Sequence, residues 1–332
     1  MSRISRALAA AVAVVALCIP MTVLAQSPSA EPGASVLLTD GTGLKVGFSQ
    51  ANNGDVWRGH QTNVVEQTCK ALMPNVEVLV TDGQGDAAKQ DADVDDLISQ
   101  GIDVLLLTPL EAEQLTPAAQ RALDAGIPVI TLDRQVTIPV TQHIGADNKL
   151  IGQAAADYVA NTILGGQGGK VLEIQGVLGA SATTDRHDEF VKWLSANDPS
   201  VEIVGGSVTG EYRRDNALTV MNDYLQAFPN EGDVQVVYTH NDEMALGAIQ
   251  ALEAAGRQDE MKVVGIDGVQ NEAFQAIKDG RLVVTFTYSN ASAEACQSAQ
   301  QLLSGVELEP TWVLPTETID ASNVDEFMGT GF

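Results

Sequence analysis

Charged, amide and aromatic side chains follow several short apolar segments of this sequence. The set comprises Asp55, Trp57, Arg58, Asp133, Arg134, Arg186, Asn241, Asp267 and Tyr288. The clearest case is "PVITLDR", in which a β-branched apolar run leads directly into Asp133 and Arg134. Because a buried charge is costly unless it is paired or bound, we expect these two residues at the edge of a core, where polar groups meet a ligand.

The mixture of side chains suits a polyhydroxylated ligand. Carboxylates accept hydrogen bonds, guanidinium groups donate them, and an amide does both, as each hydroxyl group of a sugar requires. An indole ring can cover the apolar C–H face of a sugar. A purely structural interpretation stays open for several members of the set: an ion pair for Asp133 and Arg134, a core position for Trp57, a helix cap for Asn241 and a turn for Asp267.

The elements that would position these side chains alternate regularly along the chain. The segments "KVGFSQ", "VEVLVTD", "DVLLLTP" and "PVITLD" predict strands, and segments of helical periodicity separate them. The alternation starts again with "GKVLEIQG", "VEIVGGSV", "VQVVYTHND" and "KVVGIDGV". Apolar strands between amphipathic helices indicate parallel sheets covered on both faces. We therefore predict two doubly wound α/β lobes, with the ligand site outside the carboxyl ends of the strands.

The beginning of the chain predicts export. Arg3 and Arg6 precede the apolar run "ALAAAVAVVALCIP" and a small-residue cleavage site, which together indicate a signal peptide over residues 1–25. Residues 26–44 are rich in Ser, Pro and Gly and predict a flexible leader. The formal net charge of −26 argues against nucleic acid and against anionic membranes as partners. Cys69 and Cys296 remain after cleavage, either as a disulfide, which export permits, or as buried thiols.

Motifs for phosphate, metal and nucleophilic chemistry fail at the positions they require. In "LGGQGGKV", Leu164 and Val171 stand where a P-loop needs Gly and Ser or Thr. After "DADVD", Asp96 and Ile102 stand where a calcium loop needs Gly and Glu. The histidines show no metal-ligand spacing, and the sequence has no GxSxG elbow. We predict no metal, no cofactor and no enzymatic activity.

Several blocks of the sequence resemble one family. "KVGFSQ", "WRGHQTN", "TLDR", "LEIQGVLGASATTDR", "YTHNDEMALGAIQAL" and "GIDGV" are similar to the periplasmic sugar-binding proteins of ribose-type ABC importers, and among these to the galactofuranose binders. The resemblance implies the type I periplasmic binding protein fold, whose two lobes are joined by three hinge crossovers. The N-terminal lobe would comprise residues 45–146 and 289–314, and the C-terminal lobe residues 147–288 and 315–332.

The resemblance also implies a mechanism and a role for each residue of the set. Two lobes would close on one monosaccharide through all nine side chains, and the monomeric periplasmic protein would deliver it to the membrane permease. Tyr288 and the loop before Trp57 depart from the family pattern, so a furanose such as galactofuranose is favoured while fructose, arabinose and ribose stay open. In this fold the helix carrying Cys296 returns to the lobe of Cys69, which allows a disulfide.

Three other functions compete with this interpretation. A chemoreceptor ligand-presenting protein would share the same site and stays open. A sugar-processing enzyme would use paired carboxylates, but acids paired with arginines have lowered pKa values and suit binding better. A transcriptional regulator with the same ligand core would need a DNA-binding segment and a basic surface, which the charge of −26 opposes.

Overall fold

Strands and helices alternate through the computed structural model, which describes residues 37–332; the predicted signal peptide and residues 26–36 of the predicted leader lie outside the described residues. The first eight elements are β1 (Lys45–Gln50), α1 (Val56–Leu72), β2 (Glu77–Asp82), α2 (Ala87–Ser99), β3 (Val104–Leu107), α3 (Ala112–Asp124), β4 (Val129–Leu132) and β5 (Gln142–Ala146). The middle elements are α4 (Asn148–Asp157), β6 (Gly169–Gln175), α5 (Ser181–Asn197), β7 (Val201–Thr209), α6 (Arg214–Ala227), β8 (Val236–Thr239) and α7 (Asp242–Ala254). The last are β9 (Lys262–Val264), α8 (Asn271–Lys278), β10 (Val284–Phe286), α9 (Ser292–Leu303), β11 (Thr311–Leu314) and β12 (Thr318–Asp320).

The strands form two six-stranded sheets. The first has the order β11-β5-β4-β3-β1-β2 and is parallel throughout. The second has the order β12-β10-β9-β8-β6-β7, in which only β12 is antiparallel. The predicted fold class of two doubly wound parallel-sheet lobes is therefore confirmed.

Helices cover both faces of each sheet, and this is why the strands are continuous apolar runs. In β3, for example, all four residues of "VLLL" are buried. One core of the first sheet includes Val65 and Ala295 from α1 and α9, and the other includes Leu97 and Leu115 from α2 and α3. Within residues 37–332, no helix combines the length and the apolar character needed to cross a bilayer.

The chain passes between the two sheets three times. It leaves the first sheet after β5, returns between β10 and β11, and leaves again between β11 and β12. These passages agree in number with the three predicted crossovers. The lobe limits given above stay a prediction.

Helix α9 packs against α1 and closes the first lobe. Cys69 and Cys296 form a disulfide between these helices, with their Cα atoms 4.9 Å apart. The described end of the predicted leader joins the same helix, because the backbone N–H of Thr39 donates to Oγ of Ser304 at 2.9 Å and its carbonyl accepts from Gln300 at 3.1 Å.

Candidate functional site

A small cavity lies where the carboxyl ends of the two sheets face each other. All nine residues predicted from the sequence line it, together with two that were not predicted, Ala182 and Tyr212. Parallel strands in one sheet end at the same edge, which brings residues that are far apart in the sequence into one place. Strand ends from both sheets therefore contribute to a single site.

Asp133 is the centre of an ion cluster on the side of the first sheet. Its Oδ2 lies 2.6 Å from Nη1 of Arg58 and 3.7 Å from Nε of Arg134. Burial alone would raise the pKa of Asp133, but the two guanidinium groups outweigh burial and lower the pKa below its usual value. The carboxylate is therefore ionised at neutral pH. The residue itself has φ 63°, a left-handed conformation that non-glycine residues adopt rarely.

Arg134 retains hydrogen-bonding capacity for a ligand. Its Nη1 donates to the carbonyl group of Leu110 at 3.1 Å, and its guanidinium carbon lies 5.3 Å from the ring centre of Tyr212. Burial and the charge of Arg58 lower the pKa of Arg134 to about 10, which still leaves it charged at neutral pH. A guanidinium group has five N–H donors, so most of them can serve the hydroxyl groups of a ligand.

Asp55 and Trp57 lie at the beginning of α1. Asp55 caps the helix, because its Oδ1 accepts a hydrogen bond from the backbone N–H of Arg58 at 2.8 Å. The ring of Trp57 is buried, 4.7 Å from the guanidinium carbon of Arg58 and 6.0 Å from the ring of Tyr288. The cap thus fixes the helical turn that places an indole in the cavity wall.

Arg186 supplies a positive charge from the second lobe. Its Nε donates to Oδ1 of Asn148 at 2.8 Å, its Nη1 donates to the carbonyl group of His240, and its guanidinium carbon lies 4.5 Å from the ring centre of Tyr288. Burial lowers the pKa of Arg186, but Tyr212, Tyr288 and Asp267 together raise it above the usual value. The side chain is held on several sides and stays charged.

Asp267 offers an acceptor that the protein itself does not use. Within the described part of the chain, no group donates a hydrogen bond to its carboxylate, although the residue is only 5% exposed. Its backbone has φ 129°, and the next residue, Gly268, donates its N–H to Oδ2 of Asp242 at 2.9 Å. Burial, followed by the charge of Asp242, raises the pKa of Asp267. A hydroxyl donor from a ligand would satisfy this carboxylate.

Asn241 and Tyr212 form a unit on the second lobe. Asn241 caps α7 through its Oδ1, which accepts from the backbone N–H of Met244 at 2.9 Å, so the capping interpretation of this residue was also right. Its Nδ2 donates to the carbonyl group of Tyr212 at 3.2 Å. Tyr212 has φ 63°, and its hydroxyl group is 2.8 Å from Oγ1 of Thr183. The strand-end rule applied to β7 would have found Tyr212.

Metal chemistry has no visible support in this part of the molecule. Among residues 37–332, no three His, Cys, Asp or Glu side chains are grouped so that they could hold a metal ion. Of the acids in the cavity, Asp133 lies beside guanidinium groups instead, as in its contact with Arg58. The arrangement can bind a neutral polar ligand by hydrogen bonds from both sides.

Two facing α/β sheets with a polar cavity between them define a two-lobed ligand-binding protein. A family model described as "Periplasmic binding protein domain" matches residues 46–307. The chain therefore belongs to the periplasmic binding protein family, and the predicted resemblance is confirmed.

Sequence and structure comparisons identify relatives within this family. The chain is 39% identical to the ribose import binding protein of Escherichia coli (strain K12) over 235 residues, 70% of this chain and 76% of the relative. It is 32% identical to the galactofuranose-binding protein of the same organism over 257 residues, 76% of this chain and 77% of the relative. A crystal structure described as a galactofuranose binding protein superposes with a TM-score of 0.79 at 28% identity, covering 86% of this chain and 97% of that chain.

Proposed function

We propose that this protein is the substrate-binding component of an ABC sugar importer, that it works as a periplasmic monomer, and that it holds one monosaccharide in the cavity between its lobes. The observation that carries the proposal is the composition of that cavity, in which both lobes contribute charged groups and rings. Names of relatives support the ligand class, since one is a ribose import binding protein and another a galactofuranose-binding protein.

The lining of the cavity matches the chemistry of a monosaccharide. Arg134 and Arg186 offer donors, Asp267 offers an acceptor, and Trp57 and Tyr212 offer ring faces for C–H groups. A furanose such as galactofuranose is the ligand we favour, with ribose, fructose and arabinose as the alternatives.

The lobes touch each other at the rim of the cavity, as a closed binding protein requires. The backbone N–H of Ala112 donates to the carbonyl group of Gly179 at 2.9 Å, and the backbone N–H of Gln135 donates to Oγ of Ser181 at 2.8 Å. A sugar that contacts both lobes binds the closed form better and shifts the population toward it. We propose that the permease receives the sugar from this closed form.

A thermal-shift screen against monosaccharides tests the proposal, with calorimetry on each sugar that raises the melting temperature. A ligand that binds only the folded state must stabilise it. We expect at least one of galactofuranose, ribose, fructose and arabinose to bind with a dissociation constant in the micromolar range or below, about −8 kcal/mol or more favourable. If none of a broad panel of monosaccharides shifts the melting temperature, the proposed function is wrong.

A further inference from the structure

A carboxylate with two histidine partners is buried behind the cavity. Glu173 lies on β6 and is fully buried. Its Oε1 is 2.9 Å from Nε2 of His240, and its Oε2 is 2.8 Å from Nδ1 of His187. Gln175 adds a donor, because its Nε2 lies 3.1 Å from Oε2 of Glu173. Neither arginine nor lysine contacts this carboxylate within the described residues.

Each histidine of this cluster is next to a cavity residue. His240 is followed directly by Asn241, and its own carbonyl group accepts the hydrogen bond from Nη1 of Arg186. His187 follows Arg186 on the first half of α5. Glu173 therefore links the end of β8 to the first half of α5 through the side chains of His240 and His187. These two histidines are the sequence neighbours of the cavity residues Asn241 and Arg186.

The contacts determine where the protons lie. His240 is fully buried, so its Nε2 donates to Glu173, while its Nδ1 has no hydrogen-bond partner among residues 37–332. Burial lowers the pKa of His240. The hydrogen bond that the half-buried His187 makes to Glu173 raises the pKa of His187. Burial would raise the pKa of Glu173, but the two histidines lower it to about 2. Near pH 7 the carboxylate is ionised and His240 is neutral.

Other titratable and charged groups surround the cluster. Tyr224 on α6 donates its hydroxyl group to the carbonyl group of Glu173 at 3.2 Å, and the ring of Tyr238 on β8 lies 5.2 Å from that of His240. The charge of Arg186 opposes a second proton on His240, and Asp188 favours the proton on His187. A proton added to Nδ1 of His240 would have no acceptor among residues 37–332, and the positive charge of Arg186 would oppose it.

We propose that Glu173 is a positioning residue for the cavity, holding Arg186 and Asn241 through His240 and His187, and that acid disturbs this arrangement by protonating His240 at Nδ1, which has no acceptor among residues 37–332. The inference deepens the proposed function, on which it rests, because it assigns a pH dependence to the same site. Sugar affinity is then highest near neutral pH and falls on acidification only below the usual titration range of histidine, because burial lowers the pKa of His240.

The direct test follows the Nε–H signal of Arg186 by NMR between pH 8 and 4 in the absence of sugar, a range that extends below the usual pKa of histidine because burial lowers that of His240. In the wild type we expect this proton to exchange slowly at neutral pH and its signal to shift on acidification, together with the ring signals of His240. His240→Gln keeps a donor for Glu173 but cannot titrate, so the shift should disappear. Glu173→Gln should speed the exchange about tenfold, while Glu189→Gln, which changes a carboxylate of α5 that contacts Gln153 and Lys192, should not.

A second experiment measures sugar binding, and a further variant is chosen so that it should not unfold the chain. His187→Gln, at a half-exposed position, should remove the higher histidine pKa without unfolding the chain. In calorimetry with D-ribose at pH 7.5, Glu173→Gln should bind about tenfold more weakly than the wild type. An Arg186 signal that is the same in the wild type, Glu173→Gln and His240→Gln at every pH would overturn the proposal. Absence of D-ribose binding to the wild type would count against that ligand only, because the NMR result decides the role of Glu173 without sugar.

Discussion

The hydroxyl group of Tyr288 donates a hydrogen bond to Oδ1 of Asp133 at 2.6 Å and thereby joins the two sheets beside the cavity. Tyr288 follows β10 of the second sheet, whereas Asp133 follows β4 of the first. Asn148 donates to the same hydroxyl oxygen through its Nδ2 at 3.2 Å. Burial and the charge of Asp133 raise the pKa of Tyr288 well above its usual value, so the phenol stays protonated and remains a donor.

Removing this hydroxyl group should destabilise the protein. Tyr288→Phe keeps the ring beneath Arg186 but leaves Oδ1 of Asp133 without its donor, and we expect the free energy of unfolding to fall by about 2 kcal/mol. Tyr238→Phe is the matched control, because the buried hydroxyl group of Tyr238 has no partner in the described structure. Urea unfolding measures both. Equal losses in the two variants would contradict the assigned role of the Tyr288–Asp133 bond.

Arg134→Ala should remove sugar binding while leaving the far-UV circular dichroism unchanged. The substitution deletes most of the donors that the first lobe offers and leaves part of the charge of Asp133 uncompensated, which costs about 2–5 kcal/mol in comparable buried pairs. Arg121→Ala, in an exposed ion pair with Asp91 and Asp95, should bind the sugar as the wild type does. Calorimetry compares them, and unchanged affinity in Arg134→Ala would reduce this residue to a structural role.

Gly176→Ala should weaken binding by displacing Tyr212. A Cβ atom at position 176 would overlap the ring of Tyr212, so the ring must leave its place in the cavity wall. We expect about a tenfold rise in the dissociation constant, equivalent to about 1.4 kcal/mol. Gly59→Ala is the control, since a Cβ atom there meets nothing within 4 Å. A Gly176→Ala variant with the affinity of the control would show that Tyr212 makes no contact with the sugar.

The disulfide should contribute substantially to stability. Cys69 and Cys296 are 227 positions apart, and a cross-link across so long a segment restricts the unfolded chain strongly. The Cys69→Ala, Cys296→Ala double variant should lose about 3–5 kcal/mol of unfolding free energy. A thiol assay on denatured, unreduced protein lacking residues 1–25 provides an independent check: the account predicts no reactive thiol, and two thiols would show that the bond is absent.

Much of this architecture is encoded locally. Apolar runs such as "DVLLLTP" are buried on both faces of a parallel sheet, so the sequence predicts both the strand and the side of the sheet at which Asp133 and Asp267 must lie. The strand β5, which lies between β4 and β11 in the first sheet, is harder to predict. β5 contains polar Gln142 and His143 and a glycine, and it is a strand because its neighbours supply the hydrogen bonds.

The features that sequence reasoning missed depend on long-range contacts or on unusual backbone conformations. Tyr212 lies close enough to the end of β7 for the strand-end rule to point to it, but its place in the cavity depends on positive φ angles at Glu211 and Tyr212, which non-glycine residues do not signal. Glu173 lies inside a predicted strand, and its partners are 14 and 67 positions away. Nothing in the spacing of these residues predicts their contact, since the fold alone brings them together.

A crystal structure of the protein with the sugar that gives the largest thermal shift tests the central claim most directly. The account predicts one monosaccharide between the lobes, with Trp57 on a ring face and hydrogen bonds to Arg134, Arg186 and Asp267. A sugar bound elsewhere on the surface, with this cavity holding only water, would contradict it.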